Sequence, residues 1–217
     1  MEVPSIALEQ VRQEFGRMGK ITCEMFGGLP DAVLNKSKEQ VNRIIELDDK
    51  VDILEAAIFG FLGKIRQRLL TAEESKAHQD LMTATVSLEN LADLVETELS
   101  GLLLRFIKKE RQVSETTRLV FKELYQEVYQ SVELAVQSIQ NNDQHAALAV
   151  INKKENIPQL VERLMARKAE VLGRDQAGDE LETARIEISL IDKMTRAYTL
   201  TRRFAKITAP PEIVRNV

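Results

Sequence analysis

A helical spacing of apolar residues runs through almost the whole chain, and only a few short stretches interrupt it. That pattern fixes the class of fold open to the sequence. Ile6, Val11, Phe15, Met18, Cys23 and Phe26 recur at helical intervals, as do Val41, Ile44, Ile45, Val51, Leu54, Ile58 and Leu62. The 217 residues include 9 Gly, 5 Pro and no Trp, with 29% charged and 5% aromatic residues. So few breakers and aromatics exclude a sandwich or barrel, and a single cysteine, Cys23, excludes an internal disulfide. The net charge of −4 gives no electrostatic reason to expect nucleic acid as a partner. No apolar run is long enough to span a bilayer and no signal peptide is visible, so a cytoplasmic location is expected.

The interruptions predict six helices. Pro4-Ser5 opens a first helix, which Gly27-Gly28-Leu29-Pro30 is expected to stop. A second is expected from near Asp31 to about Leu70. A third starts at the capping box Thr71 to Glu74 and runs to about Lys109. Ser114-Glu-Thr-Thr opens a fourth, and Asn141-Asn142-Asp143 ends it and caps a fifth, expected to run to Leu172 with a kink at Pro158. After the turn at 173–178, a sixth runs to about Ile207, before Pro210-Pro211. The order predicts an all-α protein of two pseudo-repeated antiparallel three-helix bundles, residues 1 to about 110 and 111 to 217. The repeat rests on layout, since few identities survive between the halves.

The second and third helices, each about 60 Å long, carry the candidate chemistry. Asp48 and Asp52 are four apart and share a helix face, as do Glu89 and Asp93. Folding the hairpin about its apex near residue 70 sets Asp52 opposite Glu89 and Asp48 opposite Asp93, with Val51, Leu88 and Leu91 beside them. Two such charges 4 Å apart repel by about 4 kcal/mol at an effective dielectric near 20. A bound cation, raised carboxyl pKa values, basic partners such as Arg12 or Lys20, or splaying into water would each relieve the repulsion. An all-oxygen set suits Mg²⁺, Ca²⁺, Mn²⁺ or iron; the plainer reading is two solvated acidic faces. In the second half the same folding sets Lys154 opposite Arg196, a candidate anion or salt-bridge patch, and the acidic quartet is missing. His78 and His145 stand alone and are expected to be surface or satisfied histidines. No Gly-rich phosphate loop and no nucleophile elbow are present. The basic clusters Arg105-Lys108-Lys109-Arg111 and Arg202-Arg203-Lys206 suit helix C-termini.

Val41-Asn-Arg-Ile-Ile-Glu-Leu-Asp-Asp-Lys-Val-Asp-Ile-Leu-Glu55 resembles the acidic helix motif of PhoU-like proteins. Leu88-Glu-Asn-Leu-Ala-Asp93 resembles their second signature, with Asn90 and Ala92 replacing its usual Arg and Gly. The second copy keeps the layout but loses the acids, in Asn152-Lys-Lys-Glu-Asn-Ile-Pro158 and Asp192-Lys-Met-Thr-Arg196. Pro4-Ser-Ile-Ala-Leu-Glu-Gln-Val-Arg-Gln-Glu-Phe-Gly-Arg-Met18 is similar to the segment after the last membrane helix of bacterial sodium/phosphate cotransporter-like proteins, which carry a PhoU-like domain. The resemblance implies a regulatory module of phosphate transport, not an enzyme. It would work beside a membrane transporter domain at the inner face of the membrane, with a homodimer as a further expectation. It also implies iron, zinc or another divalent cation held by Asp48, Asp52, Glu89 and Asp93. A metal-free interaction module is the alternative, and a metal-dependent phosphate-ester enzyme is a third reading without an evident nucleophile.

Overall fold

The computed structural model describes residues 3–108, 115–172 and 178–214, and among these every regular element is helical. The first half comprises α1 (Pro4–Leu34), α2 (Lys38–Arg66) and a continuous rod made of α3 (Ala72–Asp93), a π-helical segment (Leu94–Leu99) and α4 (Ser100–Lys108). The second comprises α5 (Glu115–Gln140), α6 (Gln144–Asn152), α7 (Asn156–Leu172), α8 (Gly178–Thr208) and the single turn α9 (Pro211–Val214). α1 packs on α2 and α3; α5 packs on α6, α7 and α8. The two groups meet where α1 lies on α5 and α3 on α8. One apolar core runs through both, from Ala7 to Ala205, with Phe15 of α1 edge-on to Phe204 of α8 at 6.2 Å.

The helix termini follow from their caps. Ser37 accepts the amide of Gln40 and starts α2. Thr71 and Glu74 form the full capping box of α3, at 3.1 and 2.9 Å. Asp143 accepts the amides of His145 and Ala146 to start α6, after Asn142 has turned the chain with a φ of 52°. The starts of the fourth helix at Ser114 and of the turn at 173–177 lie outside the described residues, as do Lys109 and Arg111.

Two of the expected boundaries are wrong. α1 does not stop at Gly27-Gly28-Leu29-Pro30 but continues to Leu34, and α2 begins seven residues later than Asp31, at Lys38. Pro30 has no N–H for the carbonyl of Phe26 four residues back. The hydroxyl of Tyr125 on α5 supplies the missing donor, 2.9 Å from the Phe26 oxygen. Its ring stacks on Phe26 at 6.0 Å, and Tyr129 extends the stack. A Cβ on Gly28 would stand 3.1 Å from Ile44, so this glycine serves close approach to α2 and not a turn. The fifth helix is not kinked but divided at 153–155. Pro158 cannot donate to the Lys154 carbonyl; the chain ends α6 at Asn152 and restarts at Asn156, which places Pro158 in a first turn.

Candidate metal centre

Among the acids of α2, Asp48 falls in phase with the apolar stripe, while Asp49 and Asp52 are exposed. Asp48 is four residues after Ile44 and three before Val51, both buried, so its side chain is turned toward α3 and only 6% of the residue is exposed. Its Oδ1 has no hydrogen-bond partner. Carboxylate oxygens of Asp48, Asp93 and Glu96 lie within 4.8 Å of one another. At an effective dielectric near 20 each such pair of charges repels by about 3 kcal/mol.

The titration behaviour follows from that crowding. Burial, reinforced by the negative charges of Glu96, Asp52, Asp93 and Asp49, pushes the Asp48 carboxyl up from 3.8 to about 7. Beside it, burial pushes Glu89 from 4.5 to about 7, helped by the charge of Asp93, a hydrogen bond shared with Asp93, and the charges of Glu55 and Asp52. Glu55 is also raised, by burial and then by Asp52 and Asp93. The charges that act most strongly on Asp48 are all negative. Arg12, a basic partner considered from sequence, instead donates to the Ile139 carbonyl at 2.9 Å.

The structure thus brings Asp48 and Asp93 together across the hairpin and sets Asp52 near enough to Glu89 to act on it. It adds two acids absent from the sequence reading, Glu96 and Glu55. Both had a visible signal: Glu96 is three residues after Asp93 and Glu55 three after Asp52, so each continues its helix face. Glu96 lies in the π segment, a rare geometry that concentrates at functional sites. There the Ser100 amide and hydroxyl both go to the Val95 carbonyl, the hydroxyl at 2.8 Å.

A donor set of carboxylates with an orphaned buried oxygen fits a hard or borderline divalent cation. In the second half, Arg196 is 2.5 Å from Glu98 of the π segment, and Lys154 is exposed beside the α6–α7 division. The adjacent Lys153 pairs with Glu127 at 2.9 Å. His78 is buried and donates from Nε2 to the Leu62 carbonyl at 3.0 Å, while His145 is exposed. Burial raises the Cys23 thiol to about 12, which leaves it an inert, half-buried packing residue.

Residues 15–120, which contain the acidic hairpin, match the PhoU domain family. Over 200 residues, 92% of its length, the chain is 24% identical to a Salmonella typhimurium protein named "Putative inorganic phosphate export protein YjbB". The Escherichia coli K12 protein of the same name is 23% identical over the same length. The chain spans 36% of each of these curated relatives. Among solved structures, PhoU from Pseudomonas aeruginosa superposes with a TM-score of 0.86 at 15% identity, covering 98% of this chain and 99% of that one. The phosphate transport system regulatory protein PhoU from Streptococcus pneumoniae gives 0.80 at 14% identity, with 95% of each chain covered. These structures establish the PhoU-like fold of the chain.

Proposed function

We propose, for a chain that carries a PhoU domain and folds as a PhoU-like bundle throughout, that it is a cation-binding regulatory module of phosphate transport. It acts by binding, not by turnover. The observation that carries the cation part is the buried Asp48 carboxylate, whose Oδ1 has no protein partner and on which the strongest-acting charges are all acids. Asp48, Asp93 and Glu96 would hold the ion, with Asp52, Glu55 and Glu89 alongside. An iron, zinc or other divalent ion would supply the positive charge that this cluster lacks.

The transport part is supported by the relatives, which are named for phosphate export and of which this chain spans about a third. A transporter domain at the inner face of the cell membrane is the proposed partner. No helix among the described residues is long and apolar enough to cross a membrane, so any tether would come from a partner or a further segment. A second copy of the chain is a further proposed partner.

The test is a Mn²⁺ titration, with elemental analysis, of protein purified without chelator or affinity metal, beside an Asp48→Asn/Asp93→Asn/Glu96→Gln variant. Stoichiometric binding that is lost in the variant supports the reading. A wild-type protein that binds nothing at millimolar Mn²⁺ leaves a metal-free interaction module with a repulsive acidic face.

A further inference from the structure

Two residues beyond Glu96, the same π segment is gripped from the other half of the chain. Lys193 Nζ lies 2.6 Å from Glu98 Oε2, and Arg196 lies 2.5 Å from Glu98 Oε1. One carboxylate is therefore held through both oxygens by two cations three residues apart on α8. Lys193 also reaches Asp192, at 3.2 Å. Both cations contact Glu98, a carboxylate outside the Asp48–Asp93–Glu96 group. In the π segment i→i−5 bonds replace the i→i−4 ladder of an α-helix, as in the Ser100 amide to the Val95 carbonyl. Two side-chain contacts add to those backbone bonds: Ser100 on the Val95 carbonyl, and Glu98 on α8.

We propose that Lys193 and Arg196 are positioning residues for the cation site of the first half. By gripping Glu98 they set the phase of the π segment and so aim Glu96 at Asp48 and Asp93. The inference rests on the cation-binding reading above. Two physical roles for these residues have opposite signs. As charges alone, Lys193 and Arg196 repel a divalent cation, and their removal tightens its binding. As positioning residues they preorganise a ligand, and their removal weakens binding despite the more negative field.

The experiment uses the full chain and Mn²⁺ as probe, with free Mn²⁺ read by electron paramagnetic resonance at physiological ionic strength. Lys193→Met/Arg196→Met keeps the apolar stems of the side chains and removes the clamp. Its Mn²⁺ affinity is expected to fall about five-fold or more, with an unchanged far-ultraviolet circular dichroism spectrum. Lys193→Arg/Arg196→Lys keeps both charges and the clamp and is expected to retain affinity. Arg196→Met alone, at a position whose side chain is 52% exposed, gives a smaller loss in the same direction and serves where the double variant fails to fold. A clamp-less variant that binds Mn²⁺ as tightly as wild type, or more tightly, overturns the inference while leaving the site intact. A wild-type chain that binds no Mn²⁺ removes the site itself, and this inference with it.

Discussion

Replacing Asp48 with Asn is expected to stabilise the cation-free protein at alkaline pH, because the native carboxylate works against the fold there. A carboxyl moved from 3.8 to about 7 on folding binds its proton more tightly in the native state than in the unfolded chain. Between these two values the native state holds the extra proton, so stability is full below about pH 4 and falls as pH rises through about 7. Each pH unit of that displacement is worth about 1.4 kcal/mol, which sets a ceiling of about 4 kcal/mol for Asp48. Solvent reaching this patch screens the repulsion and reduces this to about 2 kcal/mol. For a protein of this size that corresponds to roughly 4–8 °C in Tm. The assay is thermal unfolding in chelator from pH 5 to pH 8, of wild type and Asp48→Asn. The wild-type Tm should decline across this range more steeply than that of the variant, and the two curves should separate most at pH 8. Saturating Mn²⁺ at pH 8 should recover the loss in wild type only, by about 2.7 kcal/mol at a hundredfold excess over Kd. An Asp48→Asn protein that melts below wild type at pH 8 in chelator, with a parallel pH profile, would show that the Asp48 charge is compensated and refute the reasoning.

Other perturbations probe the scaffold around the site. Tyr125→Phe removes the donor to the Phe26 carbonyl and should cost about 1 kcal/mol; in a Pro30→Ala background, where residue 30 regains its N–H, a double-mutant cycle by urea denaturation should show a smaller loss. Gly19→Ala places a Cβ 2.3 Å from Val136 Cγ1, where α1 crosses α5, and should destabilise by about 1–3 kcal/mol. Gly16→Ala meets the amide end of the flexible Gln140 side chain and should be distinctly milder in the same melts. Lys168→Met leaves Glu187 buried without the ammonium it contacts and should cost about 3–5 kcal/mol, whereas Lys168→Met/Glu187→Leu should recover most of that loss.

The parts of the fold legible in the sequence are those specified by neighbours in the chain. Thr71 and Glu74 satisfy each other across three residues, and Asp143 caps the two amides that follow it, so these boundaries could be located directly. Gly27-Gly28-Leu29-Pro30 has the local signature of a stop. The device that overrides it, the Tyr125 hydroxyl, stands 99 residues away. No local rule for proline anticipates a donor from another helix. The π segment is equally silent: Leu94-Val-Glu-Thr-Glu-Leu99 reads as ordinary helix, and of the contacts made there, the Ser100 back-bond and the Glu98 clamp, the second is a tertiary contact. The acidic pairs were legible because a hairpin with one apex constrains which residues oppose. The depth of Asp48 has a local signal too, since it continues the buried stripe Val41, Ile44, Val51.

The distribution of buried charge gives the physical reason to place a cation in one half only. Among the described residues, the buried acidic, basic and histidine side chains are Asp48, His78, Lys168 and Glu187. Lys168 and Glu187 contact each other between α7 and α8, so the charge buried in the second half is closed on itself. His78 is matched to the Leu62 carbonyl. Of these four, Asp48 alone has an unmatched oxygen, and the charges that act on it most strongly make ionisation harder. Desolvating a carboxylate without a partner costs several kcal/mol, and a fold that keeps one there carries a standing penalty unless a proton or a cation relieves it. The Arg196 guanidinium contacts Glu98. A fixed cation would have satisfied the cluster permanently. Leaving it unsatisfied keeps the charge of this hairpin exchangeable, which is the property a regulatory site requires.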